Sequence, residues 1–143
     1  MSQQLDGSTV ELLSAHNIRV TPQRVAIFEA LKKMKHPTAE QIMNQLRPDY
    51  PNMSMATVYN TLRYFKQTGL VRDIHCGEDC TRFEVSKESH NHLICETCGC
   101  IEDMDLDLFI NFGAIAERFG FKLDAVNIEL YGQCRSCREK REE

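Results

Sequence analysis

In the first half of the chain, apolar residues recur three and four positions apart in successive stretches, and most of these stretches open on a helix start signal. Val10, Leu12 and Leu13 predict a first helix over about Thr9 to His16. Thr21-Pro22 reads as an N-cap followed by proline at the first helical position, with Val25, Ile27, Phe28 and Leu31 as the buried stripe of a second helix. Thr38, with Gln41 three residues on, makes a capping box for a third helix carrying Ile42, Met43 and Leu46. Pro48 and Pro51 then break the chain. Ser54 caps a fourth helix that runs to about Thr68 and stops at Gly69, with Met55, Val58, Leu62 and Phe65 on one face.

The period then changes. Leu70 to His75 and Thr81 to Val85 read as two strands around the turn Gly77-Glu78-Asp79. Helices followed by a hairpin outline a winged helix-turn-helix, with the fourth helix as the reader of DNA. Its flank opposite the apolar stripe carries Ala56, Thr57, Tyr59, Asn60, Arg63 and Lys66. Asn can pair bidentately with adenine, Thr and Tyr can touch phosphate or a thymine methyl, and Arg and Lys can neutralise phosphates. An ordinary solvated helix face has the same composition, so it is the hairpin that favours the reader. Charge divides in the same sense: residues 1–75 carry nine Lys/Arg against six Asp/Glu, and residues 76–143 carry eight against fifteen. The first half suits nucleic acid and the second suits cations.

The second half holds the candidate metal chemistry. Cys95/Cys98 and Cys134/Cys137 are two Cys-x-x-Cys pairs, together the tetrahedral thiolate set of a structural Zn²⁺ site with no position left for water or substrate. Two disulfides are the competing reading; seven cysteines, an odd number, and the absence of a signal-like leader weigh against it and lead us to expect a cytoplasmic protein. His90-Asn91-His92 places two imidazoles on one face of a strand, with Glu84 and Asp103 as nearby carboxylates and His36 far upstream. That mixture suits Fe²⁺, Mn²⁺ or Zn²⁺, although surface histidines without a ligand role have the same spacing. Glu102 adjoins Asp103, but alternation lets only one face the ion, and we favour Asp103. Cys76 and Cys80 flank the hairpin turn within disulfide reach, but they stand outside the pattern of the other cysteines, and inert, half-exposed thiols are the reading we favour. Cys100 shares a strand face with Cys98, yet the Cys-x-x-Cys turn makes Cys95 the natural partner, so Cys100 is not counted as a ligand. Leu106, Leu108, Phe109, Ile110, Phe112, Ile115, Ala116 and Phe119 form an apolar helix with more surface than a small sheet needs, and a twofold dimer would bury the surplus. No apolar run approaches the ~18 residues of a membrane span.

Several stretches resemble the ferric uptake regulator superfamily, and within it the peroxide-sensing repressor branch. They are Arg19-Val-Thr-Pro-Gln-Arg24, His36-Pro-Thr-Ala39, Pro51-Asn-Met-Ser-Met-Ala-Thr-Val-Tyr-Asn60, His90-Asn-His92, Cys95-Glu-Thr-Cys98-Gly99 and Tyr131-Gly-Gln-Cys-Arg-Ser-Cys137. The resemblance implies an α+β protein. An N-terminal winged helix-turn-helix DNA-binding domain, placed at residues 1–85, would precede a C-terminal α/β dimerisation domain with a structural zinc, at residues 86–143. It assigns Cys95, Cys98, Cys134 and Cys137 to zinc, and His36, Glu84, His90, His92 and Asp103 to a regulatory Fe²⁺ or Mn²⁺. The DNA-contacting residues would be Arg19, Thr57, Tyr59, Asn60 and Arg63. It further implies a homodimer repressing genes at a near-palindromic operator, with hydrogen peroxide as the signal and iron-catalysed oxidation of His36 or His90 as the release.

Two positions qualify the branch. Asp103 resembles the peroxide sensors, whereas Glu84 resembles the iron regulators, which keeps an iron-, zinc- or manganese-responsive uptake regulator as the alternative. A further metal position found in some members uses a histidine in the strand after the last helix, and the matching stretch Lys122 to Leu130 has none. A metal-dependent hydrolase is the rival from another class, but no nucleophile motif accompanies the cysteines, and the expectation is a regulator rather than an enzyme.

Overall fold

The computed structural model describes residues 7–86, 91–105 and 110–142. The chain divides into two compact units, Met1–Ser86 and Lys87–Glu143.

The first unit is built from α1 (Gly7–Ala15), α2 (Pro22–Lys33), α3 (Ala39–Leu46), α4 (Met55–Gln67), β1 (Val71–His75) and β2 (Thr81–Val85). The start signals work as their chemistry requires. Thr21 accepts from the Arg24 N–H ahead of Pro22, Thr38 and Gln41 form a reciprocal capping box, and Ser54 accepts from the Thr57 N–H. Helix α4 ends in a Schellman turn, in which Leu70 N–H donates to the Phe65 carbonyl (2.9 Å) and Gly69 N–H to that of Lys66 (3.1 Å), Gly69 sitting at φ +76°. Leu13, Ile27, Phe28, Ile42, Val58, Leu62 and Phe65 meet in one core, where the rings of Phe28 and Phe65 pack edge to face at 5.9 Å. Strands β1 and β2 pair antiparallel from Val71↔Val85 to His75↔Thr81. This is the winged-helix outline predicted from the pattern.

The second unit comprises β3 (Asn91–Cys95), β4 (Ile101–Met104), α5 (Phe112–Arg118), β5 (Glu129–Gly132) and α6 (Arg135–Glu139). Its sheet has the order β4-β3-β5, β3 and β4 antiparallel, β3 and β5 parallel. The parallel pairing needs a crossover, and α5 lies within it. The strand expected over Lys122 to Leu130 begins only at Glu129, and residues 121–128 have no regular structure. Of the predicted apolar helix, Leu106, Leu108 and Phe109 lie outside the described residues, and α5 starts at Phe112. Among the described residues of this unit, only Ile94, Cys95 and Ala116 are buried hydrophobics, while Ile110, Ile115, Phe119, Phe121, Leu130 and Tyr131 are exposed. Uncovered apolar surface of this extent in so small a unit marks an interaction face.

Candidate metal centres and nucleic-acid face

The parallel β3–β5 pairing explains how cysteines far apart in sequence meet. Cys95 ends β3 opposite Gly132 of β5, and Glu96 N–H donates to the Gly132 carbonyl (2.9 Å), so the chain leaving β5 delivers Cys134 beside Cys95. The Cys134 N–H points at Cys95 Sγ (3.3 Å), and Cys98 Sγ lies 3.8 Å from Cys134 Sγ. Cys95 to Cys100 forms a tight knuckle: Gly99, at φ +71°, donates to the Cys95 carbonyl (2.8 Å) and Cys95 N–H to that of Cys100 (2.9 Å). The thiol sulfurs of Cys95, Cys98, Cys100 and Cys134 all lie within 4.8 Å of one another. Cys137, one turn along α6, lies close enough for its thiol to interact with those of Cys134, Cys98 and Cys95. Three of the predicted quartet, Cys95, Cys98 and Cys134, thus share this tight group with Cys100, and Cys137 lies beside it. A cluster of thiols with backbone N–H groups aimed at sulfur fits a thiolate-bound Zn²⁺.

The sulfurs differ in acidity. Hydrogen bonds from the backbone N–H groups of Cys134 and Cys98 bring Cys95 down to about 5, and the Cys100 N–H lowers Cys98. Sharing a proton with Cys134 pushes Cys137 up to about 12, and sharing with Cys98, together with burial, does the same for Cys100. Near neutral pH Cys95 is therefore already a thiolate, whereas a ligand drawn from the high pair must give up its proton to zinc. Zinc affinity should rise with pH between 6 and 8, by about tenfold per unit for each proton displaced, and collapse below pH 5 as Cys95 protonates. Competition with a chromophoric chelator at several pH values checks the slope.

Each unit also holds a histidine–carboxylate pair. In the first, buried His36 directs Nε2 to Glu84 Oε2 at 3.2 Å, and the other oxygen of Glu84 accepts from Arg72, its neighbour across the β1–β2 ladder. His36 adopts φ +44°, a left-handed conformation that costs a non-glycine residue about 1–3 kcal/mol. Strand β2 holds it there: Arg82 Nη1 donates to the His36 carbonyl (2.9 Å), and Phe83 N–H to that of Pro37 (2.9 Å). The strained turn aims the imidazole at Glu84. In the second unit, His92 on β3 lies directly opposite Asp103 on β4, with Nε2 3.3 Å from Oδ1. The register puts Glu102 opposite Leu93 instead, so Asp103 is the carboxylate on the histidine's face. His90 lies outside the described residues. Imidazole with carboxylate is a donor set that fits Fe²⁺ or Mn²⁺.

On α4, Tyr59, Asn60, Arg63 and Lys66 are exposed, opposite buried Val58, Thr61, Leu62 and Phe65. Arg19 is exposed ahead of α2. Two candidate reader hydroxyls already have partners: Thr57 Oγ1 hydrogen-bonds Ser54 Oγ (2.9 Å), and Tyr59 donates to Glu40 on α3 (2.7 Å), which lowers the Glu40 carboxyl and raises the Tyr59 phenol. Asn60 and Arg63 thus offer the more available contacts. Asn60→Ala should cost about 1–3 kcal/mol at the preferred operator and relax discrimination at one base pair. Arg63→Ala should weaken binding to all sequences and reduce the salt slope by about one. Binding isotherms on operator and scrambled DNA at several salt concentrations check both. At the hairpin tip beyond α4, Cys76 and Cys80 are not the inert, half-exposed thiols expected: the turn, closed by the Cys76 N–H on the Cys80 carbonyl, brings their Cα atoms to 5.0 Å, Cys76 is buried, and the two are joined in a disulfide.

The comparisons agree with this picture. The Ferric uptake regulator family pattern matches residues 15–131. The peroxide-responsive repressor PerR of Staphylococcus saprophyticus is 38% identical over 142 residues, 98% of this chain and 95% of that protein. The solved structure of the Campylobacter jejuni peroxide stress regulator superposes with a TM-score of 0.72 at 29% identity, covering 90% of this chain and 98% of that one. That of the Vibrio cholerae ferric uptake regulator gives 0.74 at 29% identity, covering 87% and 98%. The chain therefore belongs to the ferric uptake regulator family, whose members are metal-responsive transcription regulators.

Proposed function

We propose that this protein is a metal-dependent, peroxide-responsive transcriptional repressor that binds a near-palindromic operator as a homodimer through α4. The observation that carries the reading is the pair of histidine–carboxylate contacts, His36–Glu84 in the first unit and His92–Asp103 in the second. In this reading one regulatory ion takes ligands from both pairs and from His90. Since the ion is fully coordinated only when the two units are tied together, its occupancy favours the arrangement of the reading helices that matches the operator. The Cys95/Cys98/Cys134/Cys137 zinc is structural and keeps the dimerisation unit folded. The relative that is 38% identical supports the peroxide signal.

Ferrous iron, when bound, supplies one-electron reduction of the peroxide O–O bond beside an imidazole, a reaction that manganese does not perform under mild conditions. The chain's own residues set the outcome. His36 and His90 would lie within reach of the oxidant, and loss of either as a ligand releases the tie between units and with it the operator. Asp103 would hold the ion with a carboxylate one methylene shorter than Glu, which would leave room for peroxide that the longer side chain would fill. Asp103→Glu should therefore keep metal-dependent operator binding while losing most of the peroxide response. Fluorescence anisotropy of a labelled operator before and after peroxide reads both. An Asp103→Glu protein as peroxide-sensitive as the parent would favour the metal-uptake alternative that Glu84 keeps open.

A further inference from the structure

Cys95, Cys98, Cys100 and Cys134 already make a group of the four thiols that a tetrahedral ion needs, and the predicted ligand Cys137 lies beside it. Spacing alone sets Cys100 aside, because Cys95 completes the Cys-x-x-Cys turn with Cys98, but in the structure this turn does not exclude it. Gly99 reverses the chain so tightly that Cys100 returns to the cluster, its sulfur within 4.8 Å of those of Cys95, Cys98 and Cys134. A tetrahedral ion with Zn–S bonds of about 2.3 Å holds its sulfurs about 3.8 Å apart, so only a small contraction separates this group from a complete shell. The rival fourth ligand, Cys137, sits on the five-residue helix α6, whereas Cys100 is fixed by the Cys95–Cys100 backbone hydrogen bond at the root of β4.

We propose that Cys100 is an exchangeable zinc ligand, competing with Cys137 for the fourth position around Cys95, Cys98 and Cys134. The inference rests on the structural-zinc reading but not on iron, peroxide or DNA. Exchange needs no redox step: the incoming thiol gives up its proton as it binds the ion, and the outgoing thiolate takes one up from water. Its consequence is a spare ligand, so that loss or modification of either Cys100 or Cys137 leaves the zinc in place. In a regulator exposed to peroxide, this would confine the irreversible response to the histidine site.

Zinc content after gel filtration, measured on full-length protein, tests the idea in three variants. Cys137→Ser and Cys100→Ser should each retain about one zinc per chain, and Cys100→Ser/Cys137→Ser should lose it. In zinc-loaded Cys137→Ser, Cys100 should resist alkylation until a chelator is added. A folded Cys137→Ser protein without zinc, or a double variant that keeps it, would overturn the proposal. Should the variants fail to fold, differential alkylation of the unmodified zinc-loaded protein decides. Exchange predicts that Cys100 and Cys137 share the one reactive thiol and both label in part, whereas full labelling of Cys100 with full protection of Cys137 contradicts it. Native protein that carries no zinc would defeat the structural-zinc reading itself, a result the zinc assay separates from the others.

Discussion

Cys95→Ser should remove zinc and unfold the second unit while leaving the first largely intact. Cys95 is the hub of the thiol cluster: it ends β3, receives the Cys134 N–H and anchors the knuckle that carries Cys98 and Cys100. Unlike the fourth position, it has no substitute. Among the described residues, the unit it staples buries only Ile94, Cys95 and Ala116 as hydrophobic core. Below about 70–80 residues such a core contributes too little to stand without a staple. Structural zinc binding contributes about 10–16 kcal/mol in small zinc domains near neutral pH, as much as the whole stability of an ordinary domain at about 5–15 kcal/mol. The first unit has its own core around Phe28, Leu62 and Phe65 and no zinc ligand. Native-state hydrogen exchange should accordingly show protected amides in α2 and α4 and none in β3 and β5, and gel filtration should show loss of the dimer. Retention of protected β3 amides in a zinc-free Cys95→Ser protein would refute a folding role for the ion.

The second large effect is expected from His92→Ala, and it should be of the opposite kind. His92 is almost fully buried on β3 and faces Asp103 across the hairpin, so removing its ring deletes a proposed ligand of the regulatory ion while leaving the thiol cluster untouched. Loss of a partner that merely supports a ligand costs roughly 10–100-fold in metal affinity, and loss of a ligand itself should cost more. His92→Ala should therefore keep zinc and the dimer but lose metal-stimulated operator binding at any practical Mn²⁺ concentration. Isothermal titration of the zinc-loaded variant with Mn²⁺, beside anisotropy on the operator, separates the two effects. A variant that still binds the operator in response to Mn²⁺ would place the regulatory site elsewhere.

The parts legible in the sequence are those written in local chemistry. Thr21-Pro22, Thr38 with Gln41, and Ser54 each fix a helix start through hydrogen bonds that span three residues, and the apolar stripe of α4 comes from period alone. Strand alternation shows that only one of Glu102 and Asp103 can face the histidine, and the β3–β4 register shows that it is Asp103. The hidden parts depend on contacts between distant segments. The parallel β3–β5 pairing that seats Cys134 beside Cys95 involves no local signal, and neither does the shortness of β5, which begins only at Glu129. Strain at His36 is invisible without the β2 strand that imposes it through Arg82 and Phe83. Tyr59 reads in sequence as a free base contact because Glu40, nineteen residues upstream, gives no sign of reaching its hydroxyl. Arg72, the second partner of Glu84, comes from strand register, and Cys100 from a glycine turn whose tightness no spacing rule conveys.

An iron-loaded form of this protein should be inactivated as a repressor by peroxide through its own histidines. The most direct measurement is operator binding by the zinc-loaded dimer with Fe²⁺ or with Mn²⁺, before and after stoichiometric peroxide, combined with mass spectrometry of the peptides that contain His36 and His90. Both metals should support binding, and peroxide should abolish it for the iron form alone, with a gain of ~16 Da, one oxygen, on a histidine peptide rather than on the cysteines, whose oxidation would climb the thiolate ladder. Equal resistance of the two forms, with both histidine peptides unmodified, would contradict this expectation.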